Sequence, residues 1–246
     1  MNPLYQSKIT CICCETIFNT SRVRPSFKKT MKSDTDFCNY YKTDINPDYY
    51  VVRVCPSCGF ATTENGLERL SDKQKKMYYD EIGFRWKNHD YSGARDAKQA
   101  MACYKLALLA GQVVGEKDRV IAGILHHIAW LYRYESNIHE EKRFLQFALQ
   151  AYIRVYEGEE SEVNNARLMY MIGELNRRTG DENEAVRWFS RIVNDKRIMD
   201  SAMIQASRAQ WQLIREEMEA RRVGMSSNSS QDDKNDKKDS KSKSLA

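Results

Sequence analysis

Two short stretches, Cys11-Ile12-Cys13-Cys14 and Cys55-Pro56-Ser57-Cys58-Gly59, decide how this chain is read. Cys11, Cys14, Cys55 and Cys58 form a C-x2-C…C-x2-C set. Four thiolates at that pair spacing close tetrahedrally around one structural Zn²⁺. Pro56 pre-sets the backbone before the second turn, and Gly59 lets the chain reverse after the last ligand. The doublet Cys13-Cys14 leaves the first hook's second ligand open, with the spacing favouring Cys14. Ile9, Ile12, Ile17 and Phe18 flank the first hook in a strand-like context and are available to pack around a small metal core.

Forty residues lie between Cys14 and Cys55, a long insert for such a module. Its first part carries Arg22, Arg24, Lys28, Lys29 and Lys32, interleaved with Phe27 and Met31. Such a run can follow phosphates or meet an acidic partner; the plainer reading is a solvated hairpin face. Asp34-Thr35-Asp36-Phe37-Cys38 follows. In an extended segment Asp34 and Asp36 share one side, where they can hold a hard cation or accept hydrogen bonds from Arg22 or Arg24. Cys38 is read as a buried thiol, with a reactive thiol or an extra ligand as the alternative. The four histidines, His89, His126, His127 and His139, all fall outside this module, so no Cys/His dyad is legible.

The seven cysteines are an odd number and do not suit a secreted disulfide framework; a reducing cytoplasm is expected. The start of the chain has no apolar signal core, and no run of about 18 apolar residues predicts a membrane span. Hydrophobic residues make up 41% and charged residues 30%, which suits a globular protein of one or two domains. A net charge of +5 is too small to argue for nucleic acid unaided.

Beyond Pro56 the chain has no proline, and from Ser71 apolar residues recur at helical spacing. Ser71-Asp72 caps the first helix. Helices are expected at 73–86, 93–112, 117–135, 138–157, 162–179, 182–194 and 199–222. The short breaks between them imply antiparallel neighbours. Cys103 falls on a core stripe, and the adjacent His126 and His127 diverge by about 100° and make a poor metal pair. Met169, Ile172, Gly173, Ala185 and Phe189 stand at the offsets of a tetratricopeptide-type helix pair within a window of about 34 residues. Gly180 is placed to cap the turn between its helices. Residues 224–246 are rich in Ser, Asp and Lys and predict a disordered tail.

The expected architecture is therefore mainly α. A small zinc-ribbon-like β module (1–65) precedes an antiparallel helix-pair, tetratricopeptide-like superhelix (66–223) and the tail (224–246). The chain resembles the DUF2225 family of uncharacterised bacterial proteins. The resemblance rests on Cys11…Cys14, Asp34-Thr35-Asp36-Phe37-Cys38, Asn46-Pro47, Cys55-Pro56-Ser57-Cys58-Gly59-Phe60-Ala61, Ala129-Trp130-Leu131-Tyr132-Arg133 and Ile172-Gly173-Glu174-Leu175-Asn176-Arg177-Arg178. It implies a bacterial cytoplasmic protein with a zinc-ribbon-like module joined to a helical region, and it supplies no reaction. The expected function is a non-enzymatic adaptor or scaffold that takes a protein or peptide on its helical repeats. One alternative is nucleic-acid binding through Arg22, Arg24, Lys28, Lys29 and Lys32. Another is an enzyme with its site at Asp34, Asp36 and Cys38.

Overall fold

The computed structural model describes residues 2–158 and 165–242, with the side chains of the last helix described as far as Arg222. The protein is mainly α-helical, with a small β module at its N-terminal end. Three antiparallel two-stranded ribbons build the β module. They are β1 (Leu4–Thr10) with β2 (Ile17–Val23), β3 (Thr30–Ser33) with β4 (Asn39–Tyr41), and β5 (Arg53–Val54) with β6 (Ala61–Thr62). The first hook is the turn of the β1–β2 ribbon and the second is the turn of the β5–β6 ribbon. The insert between them is thus mostly a third hairpin.

Alternation along β2 buries Phe18 and Thr20 and turns Ile17 outward, 59% exposed. Ile17 therefore does not join the metal core as the sequence suggested, because it sits on the opposite face of the strand from Phe18. Nor is 34–38 extended. It forms the tip of the β3–β4 hairpin, closed by Asp34 N–H to Cys38 O (2.8 Å) and Phe37 N–H to Asp34 O (2.9 Å), with Phe37 at φ 65°.

Among the described residues seven α-helices follow: α1 (Asp72–Glu81), α2 (Ala97–Val114), α3 (Asp118–Tyr134), α4 (Ile138–Gly158), α5 (Ala166–Thr179), α6 (Glu182–Asn194) and α7 (Ser201–Ser242). Each packs on the next in sequence from α1 to α7, and α5 also touches α7. Two boundaries differ from expectation for local reasons. α1 stops at Glu81 rather than 86, and a single 3-10 turn at Gly83–Arg85 carries Trp86 back onto the second hook. α2 starts at Ala97 rather than 93, because Asp96 and Gln99 form a reciprocal capping box that fixes its first turn. α5 begins at Ala166, and the expected start at 162 lies outside the described residues. α7 begins at Ser201 rather than 199 and continues to Ser242, past the end expected at 222, while the side chains of the expected tail, 224–246, lie outside those described.

The pair α5–α6 shows why small residues stand where they do. A Cβ on Gly173 would lie 2.8 Å from the ring of Phe189, which is fully buried. Ile172 and Ala185 are fully buried and Met169 nearly so. Between the helices Gly180 takes φ 101°, and its N–H donates to Asn176 O and Arg177 O. Asp181 then caps α6 by accepting from Glu184 N–H.

Phe189→Ala should cost about 3–5 kcal/mol by opening a cavity, and Gly173→Ala about 1–3 kcal/mol by overfilling the same contact. The double variant, measured by urea unfolding, should lose less than the two added together, since the new methyl partly fills the space. Strict additivity would mean that the two residues do not meet.

Candidate metal centre and buried carboxylate site

The two hooks have the same backbone design. In the first, Glu15 N–H donates to Cys11 O (2.9 Å) and Glu15 has φ 63°; in the second, Gly59 N–H donates to Cys55 O (2.8 Å) and Gly59 has φ 75°. A left-handed residue directly after the second cysteine curls each turn so that both sulfurs face inward. At Gly59 there is a further requirement, since a Cβ there would run into the indole of Trp86. Trp86 Nε1 donates to Pro56 O (2.7 Å) and the Tyr78 hydroxyl to Cys58 O (2.9 Å), so residues around α1 pin the second hook.

The structure brings together Cys11, Cys14, Cys55 and Cys58, whose four sulfurs lie within 4.8 Å of one another. Cys11 Sγ is 3.7 Å from Cys58 Sγ, and Cys14 Sγ is 3.6 Å from Cys55 Sγ. A metal–thiolate bond of about 2.3 Å gives a tetrahedron with an edge of about 3.8 Å, so the residues fit one tetrahedral divalent ion. Cys13 is buried beside the cage but is not one of the four; its N–H points at Cys11 Sγ (3.4 Å). The choice left open between Cys13 and Cys14 therefore falls to Cys14.

The other sequence candidates lie apart from the cage. Arg22 pairs with Glu64, and Arg24 donates from Nε to Asn2 O (3.0 Å). Neither reaches Asp34 or Asp36, because the hairpin tip turns away into the helices. Lys28, Lys29 and Lys32 stand exposed on or beside β3, and Lys32 contacts Asp34 at 3.1 Å.

The tip residues converge on α3 and α5. Asp36 is wholly buried and is the centre of the arrangement. Arg133 grips it with two nitrogens (2.9 and 2.6 Å), Trp130 Nε1 donates at 3.1 Å, and Arg178 lies at 3.4 Å. His126 Nε2 approaches at 3.3 Å and its Nδ1 lies 3.4 Å from the Tyr152 hydroxyl. Burial lowers the affinity of His126 for a proton and the contact with Asp36 raises it, with burial the larger effect; facing an ionised carboxylate, Nε2 is the nitrogen that donates. Burial opposes ionisation of Asp36, but the hydrogen bonds from Arg133 and His126 and the charge of Arg178 overcome it and hold the carboxyl far below the usual range. Asp34 accepts from Arg133 (3.0 Å) and the Tyr40 hydroxyl (3.2 Å).

Thr35 donates its hydroxyl to Glu174 (2.5 Å), and its carbonyl accepts from the Tyr170 hydroxyl (2.9 Å). Phe37 lies under Arg167, whose guanidinium carbon is 4.5 Å from the ring centroid. The Cys38 thiol, wholly buried, points at the Tyr134 hydroxyl (3.5 Å), and burial pushes it up to about 12. It is protonated at neutral pH and is a poor nucleophile.

Three buried partners escaped the sequence reading. Glu174 is fully buried between Arg177 (2.7 Å) and Arg178 (2.8 Å). Asp48 accepts from the Tyr41 and Tyr134 hydroxyls (3.1 and 2.8 Å). Arg95 donates to the carbonyls of Tyr49 and Val52 (3.0 and 2.8 Å), fastening the strand that leads to the second hook. A charged residue breaking an apolar helical stripe, as Glu174 and Arg133 do, was the available signal.

Fold and site together define a mainly α-helical protein with an N-terminal four-cysteine β module able to hold a metal ion. The sequence profile of the family described as an uncharacterised protein conserved in bacteria (DUF2225) matches residues 4–214. The chain belongs to that family. No curated protein and no solved structure matches it.

Two outcomes follow from this geometry. Cys14→Ser should abolish stoichiometric metal retention, measured by elemental analysis of the purified chain, whereas Cys13→Ser should keep it. Stability from Asp36 is present above the unfolded carboxyl value of about 3.9 and is lost as pH falls towards its depressed folded value. Asp36→Asn should therefore be destabilised at pH 7, and its urea midpoint should fall less steeply than wild type on acidification below about pH 5.

Proposed function

We propose that this is a non-enzymatic protein of the bacterial cytoplasm. One structural Zn²⁺ at Cys11, Cys14, Cys55 and Cys58 locks its N-terminal module, and stacked helix pairs of tetratricopeptide-like type bind a protein or peptide. The observation that carries the reading is the closed sulfur cage. All four tetrahedral positions are filled by cysteines, which leaves none for a reacting water. A tetrahedral all-sulfur set suits zinc, with iron the other common metal that takes it. The Gly173–Phe189 packing and the capped turn at Gly180 support the repeat-like description of α5–α6. No described helix is long and apolar enough to cross a membrane.

Divided this way, residues 1–65 and 66–223 differ in role more than in packing. Tyr78 and Trp86 from the helical side complete the second hook, and the buried tip of the β3–β4 hairpin completes the groove between α3 and α5. The module is then a part fastened onto the helices. Asp34, Asp36 and Cys38, offered above as a catalytic or second metal site, each have partners inside the protein, and that supports a binding role for the whole.

A second reading keeps some support from one surface. β3 is exposed along its whole length and carries Lys32 and Met31, with Lys28 and Lys29 just before it, a stripe that can follow phosphates. The full chain, purified from a bacterial lysate in nuclease-treated and untreated halves, separates the two. The proposal expects one zinc per chain and a discrete protein partner that survives nuclease. Nuclease-sensitive RNA or DNA, lost with Lys28, Lys29 and Lys32 changed together, would transfer the function to the hairpin.

A further inference from the structure

A hairpin that is wet along its strand and dry at its tip is an unusual object. β3 is exposed throughout, and Met31 is 68% exposed. Three residues further on, the chain enters a site where Asp36 and Cys38 have no exposure at all. β4 is half-buried, with Tyr40 against the Tyr134 ring and the Asn39 carbonyl accepting from the Tyr134 hydroxyl, and the tip is the most deeply buried part of the hairpin.

What receives the tip is a set of charges that do not balance without it. Arg133, Arg177 and Arg178 line the site and Arg167 covers Phe37; among the described residues Glu141 and Glu174 pair with them from the helices, and the charge of Glu217 also acts on Arg177. Asp34 and Asp36 supply the missing negative charge, with Arg133 bound to both. The remaining contacts read a peptide rather than a lone anion. The Tyr170 hydroxyl takes the Thr35 carbonyl, and the Phe37 ring packs 5.8 Å from that of Tyr170. Acidic side chains, a backbone carbonyl and an aromatic ring are therefore each recognised separately. α3 and α5 each begin a packed pair, α3–α4 and α5–α6, and stacked pairs present an extended concave surface.

The tip is also tethered at a distance by the sulfur cage. Cys14 and Cys55 bracket the forty residues that carry the hairpin, and closing that loop through one metal ion raises the tip's effective concentration at the groove.

We propose that the groove between α3 and α5 is a receptor for an acidic, aromatic-bearing peptide segment. The chain fills it with its own residues 34–38, and metal at the four cysteines keeps that self-ligand in place. The proposal rests on the helix pairs being the binding element, and it names the chemistry of the partner they take. A partner carrying the pattern of two acids flanking a small polar residue, followed by an aromatic, displaces the tip.

The test uses the full chain under reducing conditions, loaded with zinc or stripped by excess chelator. Alkylation of Cys38 is followed by peptide-resolved mass spectrometry. Binding of a fluorescein-labelled synthetic peptide of residues 32–40, with Cys38→Ser, is followed by anisotropy. Zinc-loaded protein should protect Cys38 and bind the peptide weakly. Stripping should speed Cys38 alkylation by about tenfold or more and raise peptide affinity by a similar factor, with helical circular dichroism retained. Arg178→Ala should remove most of the gained affinity.

Protection of Cys38 that is unchanged by stripping would overturn the proposal. So would peptide binding that is absent, or indifferent to Arg178→Ala, and so would loss of the helices along with the metal. A protein partner captured from lysate by a chain that fails this test would leave the interaction reading standing and remove only the self-ligand.

Discussion

Bringing four cysteine sulfurs to within 3.6–3.7 Å in two pairs is the constraint on which the N-terminal half depends. Thiolates at that separation repel one another, and thiols there have few alternative partners in a buried cluster. A divalent ion at the centre converts the repulsion into four bonds, and the binding free energy becomes folding free energy. The ribbons are too short to supply it themselves, since β5 and β6 have two residues each. The cage therefore sets where both ends of the long insert sit, and through Tyr78 and Trp86 it also sets where the helical region begins.

From those fixed ends the insert reaches the helices at a second place, and the attachment there is polar. Burying Asp36 without partners would be prohibitive. Arg133, Trp130, His126 and Arg178 together satisfy its oxygens, and Arg133 in turn is held by Asp34 and Glu141. Polar networks of this kind specify one arrangement more than they add stability. An apolar tip could slide along the helices, whereas a carboxylate with four donors has one seat. The result is a β module attached to the helices by apolar packing around the sulfurs and of β5–β6 on α2, and by an ionic seat around Asp36.

Much of this was legible in the sequence. The C-x2-C pairs announced the cage, and the break residues placed all seven helices, because both signals are local. Cys103 on its stripe and the divergence of His126 and His127 came from helical periodicity, and the structure buries Cys103 and separates the roles of the two histidines. The seat of Asp36 was not legible. Its donors stand 90 to 142 residues away, and no spacing rule connects a hairpin tip to the faces of α3 and α5. Ile17 was misplaced because a strand's alternating register decides the facing of each residue, and the register depends on a turn whose geometry the sequence leaves open. The start of α2 was set by Asp96 with Gln99, and the stop of α1 by the turn that carries Trp86 to the second hook. The first pair is a capping signature, whereas the second is a tertiary contact.

The same arrangement bears on how the helices are used. A groove lined by arginines and occupied by the chain's own acidic tip differs in kind from an empty apolar groove, since its ligand chemistry is already on display. A metal ion held there would have two consequences in one place, folding the module and setting how firmly the tip is held. Both depend on the cage being complete and made of sulfur alone. X-ray absorption at the zinc edge of the purified full-length chain tests that most directly. The account predicts a shell of four sulfurs at about 2.3 Å. A shell containing nitrogen or oxygen ligands would contradict a closed structural site and reopen the centre to chemistry.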